Sequence, residues 1–145
     1  RRVVDELPPN PARDGFTRWY LATLMMMAER PDDALALYAD VASENPDDAF
    51  FVGSHGAMAA LLGDEQTARH LSHRLEELAD PQLFGTDHYL HANIAAGLGD
   101  REEAVDHLQA ALRAGFRFNL SFHRNPFLDP LRGFEAFEEL LRPKG

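Results

Sequence analysis

The sequence predicts an all-α fold of about three antiparallel helix pairs followed by a C-terminal capping helix. Three related segments begin at Ala34, Ala68 and Ala104, 34 and then 36 residues apart. Self-similarity at this period is typical of proteins built from repeated helix pairs. A chain-breaking proline or glycine and an acidic helix start precede each segment, as expected where one helix of a pair ends and the next begins.

The chain is long enough for one domain with its own hydrophobic core. Residues 1–14 contain three prolines, and a helix interior does not tolerate proline at this density. We therefore expect a linker or cap there, followed by a single repeat domain over residues 15–145. Its expected parts are the repeats 15–48, 49–82 and 85–118 and the C-terminal cap 119–145.

The first predicted helix runs from about Phe16 to Ala28 and carries a single charge, on Arg18. Its apolar residues lie on every side of a helical wheel, which predicts burial on every side. The next helix begins at Pro31, a favoured first helical residue. It ends before Pro46, because the residue that precedes a proline avoids the α region.

Glycine and aspartate mark the later helix boundaries. Gly63 and Gly115 are expected to end helices, since glycine tolerates the left-handed conformation found there. Asp64 is expected to cap the helix that follows it. Asp100 and Glu103 form a capping-box pattern, in which each side chain accepts from a free amide at the helix start.

After Phe116 the repeat period fails, and Asn119 to Pro126 is too short for another helix pair. A last short helix is expected to seal the exposed end of the core. Its apolar side consists of Phe134, Phe137, Leu140 and Leu141.

Charge and composition exclude several classes of function. The 14 Lys and Arg residues against 24 Asp and Glu give a net charge of −10, which repels nucleic acid and anionic membranes. The absence of cysteine removes disulfides, thiolate metal sites and cysteine nucleophiles. No apolar run is long enough to span a bilayer. We expect a cytoplasmic protein and, because the chain starts at Arg1 rather than Met, a piece of a longer one.

The three units partly resemble the tetratricopeptide repeat, whose pattern places an aromatic, a leucine and small residues along the first helix and an alanine, an aromatic and a proline through the second. The matching positions are Leu21, Ala22, Ala34, Tyr38 and Pro46, then Gly56, Gly63, Asp64, Ala68 and Leu75, then Ala92, Gly99, Asp100, Ala104, Leu108 and Ala111. The resemblance implies a right-handed superhelix with a concave inner face. The usual tryptophan position departs from the family pattern, since it holds Arg18, Val52 and His88.

The resemblance also implies where a partner binds, because the first helix of each pair lines a groove for peptides or partner helices in this family. Carried onto this chain, the partner-binding residues are Phe16, Trp19, Tyr20, Thr23, Met26, Met27, Phe50, Ser54, Tyr89 and Asn93. Chaperone-binding members clamp a terminal carboxylate with Lys, Arg and Asn. The corresponding positions here hold Trp19, Thr23, Ser54, Thr86 and Leu90. A hydrophobic or weakly basic peptide is therefore the expected ligand.

A purely structural role for the same side chains stays open. Aromatic and methionine stripes are more often part of a core than of a binding site. The apolar residues of the first helix could pack against Val3, Val4 and Leu7, or against an upstream repeat.

The chain contains seven histidines, which leave open an alternative function as a small metal-dependent enzyme or sensor. His70 with His73, and His88 with His91, are spaced so that both rings share a helix face. A firm zinc site needs three or four ligands, however, and the sequence has neither cysteine nor an HExxH motif. We expect packing histidines, with no metal and no cofactor.

These observations favour a non-enzymatic interaction module. Its expected partner is a protein or peptide, a second copy of the chain, or an upstream domain of the same polypeptide. The tail from Asn125 to Phe134 resembles the ending of repeat modules attached to bacterial kinases, cyclases and transcriptional regulators. That resemblance implies a bacterial protein.

Overall fold

A computed structural model of the protein describes residues 11–117 and 125–142. The helices of this part are α1 (Pro11–Met27), α2 (Pro31–Glu44), α3 (Ala49–Leu61), α4 (Glu65–Glu77), α5 (Thr86–Leu98), α6 (Arg101–Arg113) and α7 (Glu135–Leu141). Two 3₁₀ helices span Pro81–Leu83 and Pro126–Leu131, and the described residues contain no strand. Most of the expected linker, residues 1–10, and most of the irregular stretch, residues 118–124, lie outside them.

Consecutive helices pack as adjacent antiparallel pairs: α1 with α2, α3 with α4, and α5 with α6. The first helices of the second and third pairs, α3 and α5, also lie directly against each other. The second 3₁₀ helix packs on α5, and α7 contacts α6. The predicted all-α fold of paired helices is confirmed.

The turn between the two helices has the same backbone geometry in each pair, in keeping with the sequence repeat. Glu29, Gly63 and Gly99 all adopt a left-handed backbone, with φ of 61°, 86° and 84°. The amide after each of them donates to the carbonyl five residues earlier, over 2.8 to 2.9 Å. This C-terminal motif favours glycine, because a Cβ is strained at positive φ. Gly63 ends α3 as predicted, whereas the first pair places a glutamate at the same strained position.

One of the two predicted aspartate caps forms. The carboxylate of Asp64 accepts from the Thr67 amide at 3.2 Å and so caps α4. The predicted capping box of Asp100 and Glu103 is wrong, because the Asp100 side chain accepts no capping hydrogen bond at the start of α6. Its carboxylate instead lies 3.7 Å from the guanidinium of Arg69 on α4.

Glycine lets α3 and α5 approach each other closely. A Cβ on Gly53 would lie 2.7 Å from Leu90 Cβ, and a Cβ on Gly97 would lie 2.7 Å from Ala60 Cβ. Contacts this short do not occur between real side chains, so a larger residue at either position would force the helices apart. The second and third pairs are therefore joined along a narrow seam.

The first helix differs from the prediction in its start and in its burial. It begins at Pro11 rather than near Phe16, because a proline is tolerated in the first turn, where its missing amide has no helical acceptor. The prediction of burial on every side is wrong. Five large apolar side chains of α1 are 45 to 70% exposed. Phe16, at 48%, lies against the rings of Phe50 and Phe51. The other four, Tyr20, Leu21, Leu24 and Met27, form the outer α1 stripe. No element of the described chain packs over the stripe, since α1 is its first helix.

The buried side chains form two main clusters. One lies among α1 to α5 and includes Phe127 of the second 3₁₀ helix, and the other joins α5 and α6 to the rest of that 3₁₀ helix and to α7. Phe137 of α7 is fully buried, and Phe134, Leu140 and Leu141 pack against the same cluster. The predicted apolar side of the last helix is thereby confirmed. None of the described helices is long and apolar enough to cross a membrane.

Candidate functional site

A pocket of about 410 Å³ opens between the first helices of the three pairs. α1, α3 and α5 each contribute a pair of side chains four residues apart, a spacing that places both on one helix face, and α5 contributes one more. The helical lining consists of Trp19 and Thr23, Phe50 and Ser54, and Tyr89, Leu90 and Asn93. The pocket therefore occupies the face on which the sequence predicts partner binding.

The C-terminal part of the chain supplies the remaining wall, through Asn125, Pro126 and Phe127. Phe127 is only 6% exposed, and its ring centroid lies 5.9 Å from that of Tyr38 on α2. Pro126 suits the first turn of the 3₁₀ helix, and the Asn125 side chain accepts from the Phe127 amide at 2.9 Å to cap it. This segment of the chain therefore closes one side of the pocket.

The indole of Trp19 is held as a wall by contacts with α3. Its Nε1 donates to Ser54 Oγ at 2.9 Å, and Ser54 Oγ donates to the Phe50 carbonyl at 2.9 Å. The Trp19 and Phe50 ring centroids are 5.0 Å apart. A hydrogen bond at one edge and a ring contact on the side fix the indole, so the pocket is preformed.

Below Trp19, Thr23 connects α1 to α2. Its hydroxyl donates to the Trp19 carbonyl at 3.0 Å and lies 2.8 Å from the Tyr38 hydroxyl. Since a threonine hydroxyl has one proton, Tyr38 is the donor in the second contact. Burial raises the pKa of Tyr38, so this donor stays protonated at neutral pH.

Asparagine side chains join α5 to the C-terminal wall. Asn125 Nδ2 donates to Tyr89 Oη at 2.6 Å and to Asn93 Oδ1 at 2.9 Å. Asn93 is almost fully buried, with 3% of its surface exposed. The described lining residues are all uncharged. Apolar walls with a few fixed polar groups are typical of ligand pockets.

Six of the ten predicted partner-binding residues line the pocket, namely Trp19, Thr23, Phe50, Ser54, Tyr89 and Asn93. The other four lie elsewhere. Phe16 packs against the rings of Phe50 and Phe51, and Met26 packs against the first core cluster. Tyr20 and Met27 belong to the outer α1 stripe.

The sequence did not predict that residues 125–127 line this site. A local signal was present, since an asparagine followed by a proline marks a helix start and the apolar residues after it need a surface to pack on. That signal predicts a short helix, but it does not identify the surface.

The histidines form a packing cluster on the opposite side of α5. His91 is 7% exposed, its Nδ1 lies 3.1 Å from Ser72 Oγ, and its ring stacks on His107 with centroids 5.0 Å apart. Burial and the neighbouring His107 lower the pKa of His91 to about 4. His88 also contacts His107, with centroids 5.7 Å apart.

These rings do not make a metal site in the described part of the chain. The sequence pairs His70 with His73, but both side chains are exposed to solvent. Among residues 11–117 and 125–142, no three His, Asp or Glu side chains are grouped so that they could hold a metal ion.

The chain matches no protein-family model, and no curated protein or solved structure is significantly similar to it.

Proposed function

We propose that this chain is a non-enzymatic, tetratricopeptide-like interaction module that binds a peptide by taking one apolar side chain into the pocket between α1, α3 and α5. In this proposal the three helix pairs form a right-handed superhelix, and the pocket is the deepest part of its concave face. The observation that carries the proposal is the preformed pocket of about 410 Å³, whose described lining residues are uncharged and which is walled by Trp19, Phe50, Leu90 and Phe127.

The size and lining of the pocket suit an anchor side chain. Ligand pockets range over roughly 300 to 1,000 Å³, so this one holds a large side chain but not a whole helix. Burying an aromatic side chain removes about 150 to 250 Å² from water, which is worth roughly 4 to 6 kcal/mol before the costs of association. One anchor of this kind can dominate the affinity of a peptide.

Charge determines what flanks the anchor. The net charge of −10 favours peptides with basic residues outside the pocket and speeds their approach. The peptide can belong to a separate protein, to a second copy of the chain, or to an upstream domain of the same polypeptide. All three present the same chemistry to the pocket.

Adjacent aromatic residues on α1 provide a matched test. Trp19 lines the pocket, whereas Tyr20 belongs to the outer α1 stripe and is 65% exposed. Peptides would be selected from a random display library on the wild-type protein, and their affinities measured by calorimetry for wild type, Trp19→Ala and Tyr20→Ala. Circular dichroism and thermal unfolding would establish that both variants fold.

We expect Trp19→Ala to weaken binding at least tenfold, because truncating a central anchor contact costs about 2 kcal/mol or more. Tyr20→Ala should change the affinity less than twofold. A library that yields no peptide, or peptides that depend on Tyr20 and not on Trp19, would contradict the proposal.

A further inference from the structure

The hydrogen bonds around Asn93 fix the orientation of its amide. The Asn125 side-chain oxygen accepts from the Phe127 amide, so the nitrogen of Asn125 is the group that faces Tyr89 and Asn93. Because that nitrogen donates, the Asn93 atom it meets is the side-chain oxygen. The capping of the 3₁₀ helix thereby determines which end of the Asn93 amide is left for other contacts.

The amide nitrogen of Asn93 has no acceptor among the residues that the structure describes. Asn93 is 97% buried as a residue. In the described part of the chain, every fully buried side-chain nitrogen or oxygen has a hydrogen-bond partner. Asn93 Nδ2 therefore keeps some exposed surface, and Asn93 is one of the residues that line the pocket.

Three other donors in the pocket are already used inside the protein. Trp19 Nε1 donates to Ser54, Ser54 Oγ donates to Phe50, and Thr23 Oγ1 donates to the Trp19 carbonyl. A ligand that displaces water from Asn93 Nδ2 without offering an acceptor would leave a buried donor unpaired, which is costly.

We propose that the pocket binds an uncharged aromatic residue and that Asn93 Nδ2 donates a hydrogen bond to a carbonyl oxygen of that same residue. This inference rests on the proposed function. Four aromatic side chains, Trp19, Phe50, Tyr89 and Phe127, line the pocket and offer edges and faces to a further ring. No charged side chain among the described lining residues is present to pair with a buried charge.

The same chemistry is presented by an aromatic residue within a peptide and by a free aromatic amide. The probes are N-acetyl-phenylalaninamide, N-acetyl-leucinamide, which lacks the ring, and toluene, which lacks the acceptor. A library peptide with and without its aromatic residue gives the peptide arm. Trp19 is the single tryptophan of the chain, so its indole N–H resonance in NMR titrations reports on occupancy of the pocket.

Two substitutions of Asn93 isolate the carbonyl contact. Asn93→Asp keeps an oxygen for Asn125 and replaces the donor, whereas Asn93→Leu removes both polar groups at similar size. Asn45→Asp makes the same chemical change at an asparagine outside the pocket, where Nδ2 donates to the Val41 carbonyl. Amide fingerprint spectra would establish that each variant retains the fold.

For wild type we expect N-acetyl-phenylalaninamide to bind at least tenfold more tightly than N-acetyl-leucinamide. Both Asn93 variants should weaken it about tenfold, the effect of one buried hydrogen bond. Toluene binding should change less than twofold in Asn93→Leu, and Asn45→Asp should resemble wild type.

Equal affinity of N-acetyl-phenylalaninamide for wild type and both Asn93 variants would overturn the role of Asn93. Preference for N-acetyl-leucinamide, or library peptides that need no aromatic residue, would overturn the aromatic specificity. In either case Trp19-dependent peptides from the library would still support the proposed function. If neither probes nor library peptides bind, both proposals fail.

Discussion

Replacing Glu29 by glycine is expected to stabilise the protein. Glu29 occupies the turn between α1 and α2 with φ of 61°, and the corresponding turns of the next two pairs use Gly63 and Gly99. A side chain in the left-handed region costs roughly 1 to 2 kcal/mol. Glycine removes that strain but gives the unfolded chain more freedom, which returns about 0.4 to 1 kcal/mol. The net expected gain is about 0.5 to 1 kcal/mol.

The structure also supplies the controls for this prediction. Glu29→Ala removes the carboxylate, which lies near the negative end of the α1 dipole, but it keeps the strained backbone. Gly63→Ala introduces the strain without a steric clash, because a Cβ there would have no neighbour within 4 Å. We expect Gly63→Ala to lose about 1 kcal/mol and Glu29→Ala to gain only a few tenths.

Urea and thermal unfolding of the four proteins measure these differences. For a chain of this length, 1 kcal/mol corresponds to a change in Tm of about 2 to 4 °C. If Glu29→Ala were as stable as Glu29→Gly, the gain would come from the charge and the argument from backbone strain would be refuted.

Two further predictions concern stability. The folded-state pKa of His91, about 4, lies below the value near 6.5 expected when unfolded, because burial and His107 disfavour the charged ring. The contribution of His91 to the free energy of unfolding is complete above about pH 6.5 and is lost toward pH 4 at roughly 1 kcal/mol per pH unit. Over this range the free energy of unfolding should therefore fall less steeply with decreasing pH in His91→Leu than in wild type. Equal slopes would contradict the assignment. Asp48 caps α3 by accepting from the Phe50 amide at 2.9 Å, so Asp48→Ala should lower the free energy of unfolding by about 1 kcal/mol. Asp100→Ala removes no capping hydrogen bond and should lower it by less than half of that. Equal losses in urea unfolding would contradict the role of the Asp48 cap.

The helix boundaries were predictable because their causes are local. A glycine after a helix, as at Gly63, or an aspartate before one, as at Asp64, acts on backbone groups within a few residues. Asp100 shows the limit of such patterns, since Arg69 on another helix competes for its carboxylate. Burial of α1 could not be read from its own composition, because exposure of Leu24 depends on whether another element packs over it.

The pocket was only partly predictable for a related reason. Residues four apart on one helix share a face, so the resemblance to a known repeat could predict the helical part of the lining, which is seven of the ten described residues. Closing the pocket needs contacts across the chain: Asn125 bonds to Asn93 and Tyr89, which are 32 and 36 residues away. Nothing near Phe127 in the sequence indicates that its ring packs against Tyr38.

Mapping a library-selected peptide onto the protein by NMR tests most directly whether the pocket is the binding site. The measurement follows the backbone amide and indole resonances of the wild-type protein during titration. We expect the largest shifts at Trp19, Ser54, Asn93 and Phe127, with little change along the outer α1 stripe. Shifts confined to Tyr20, Leu21, Leu24 and Met27 would place binding on that stripe and contradict the assignment of the pocket.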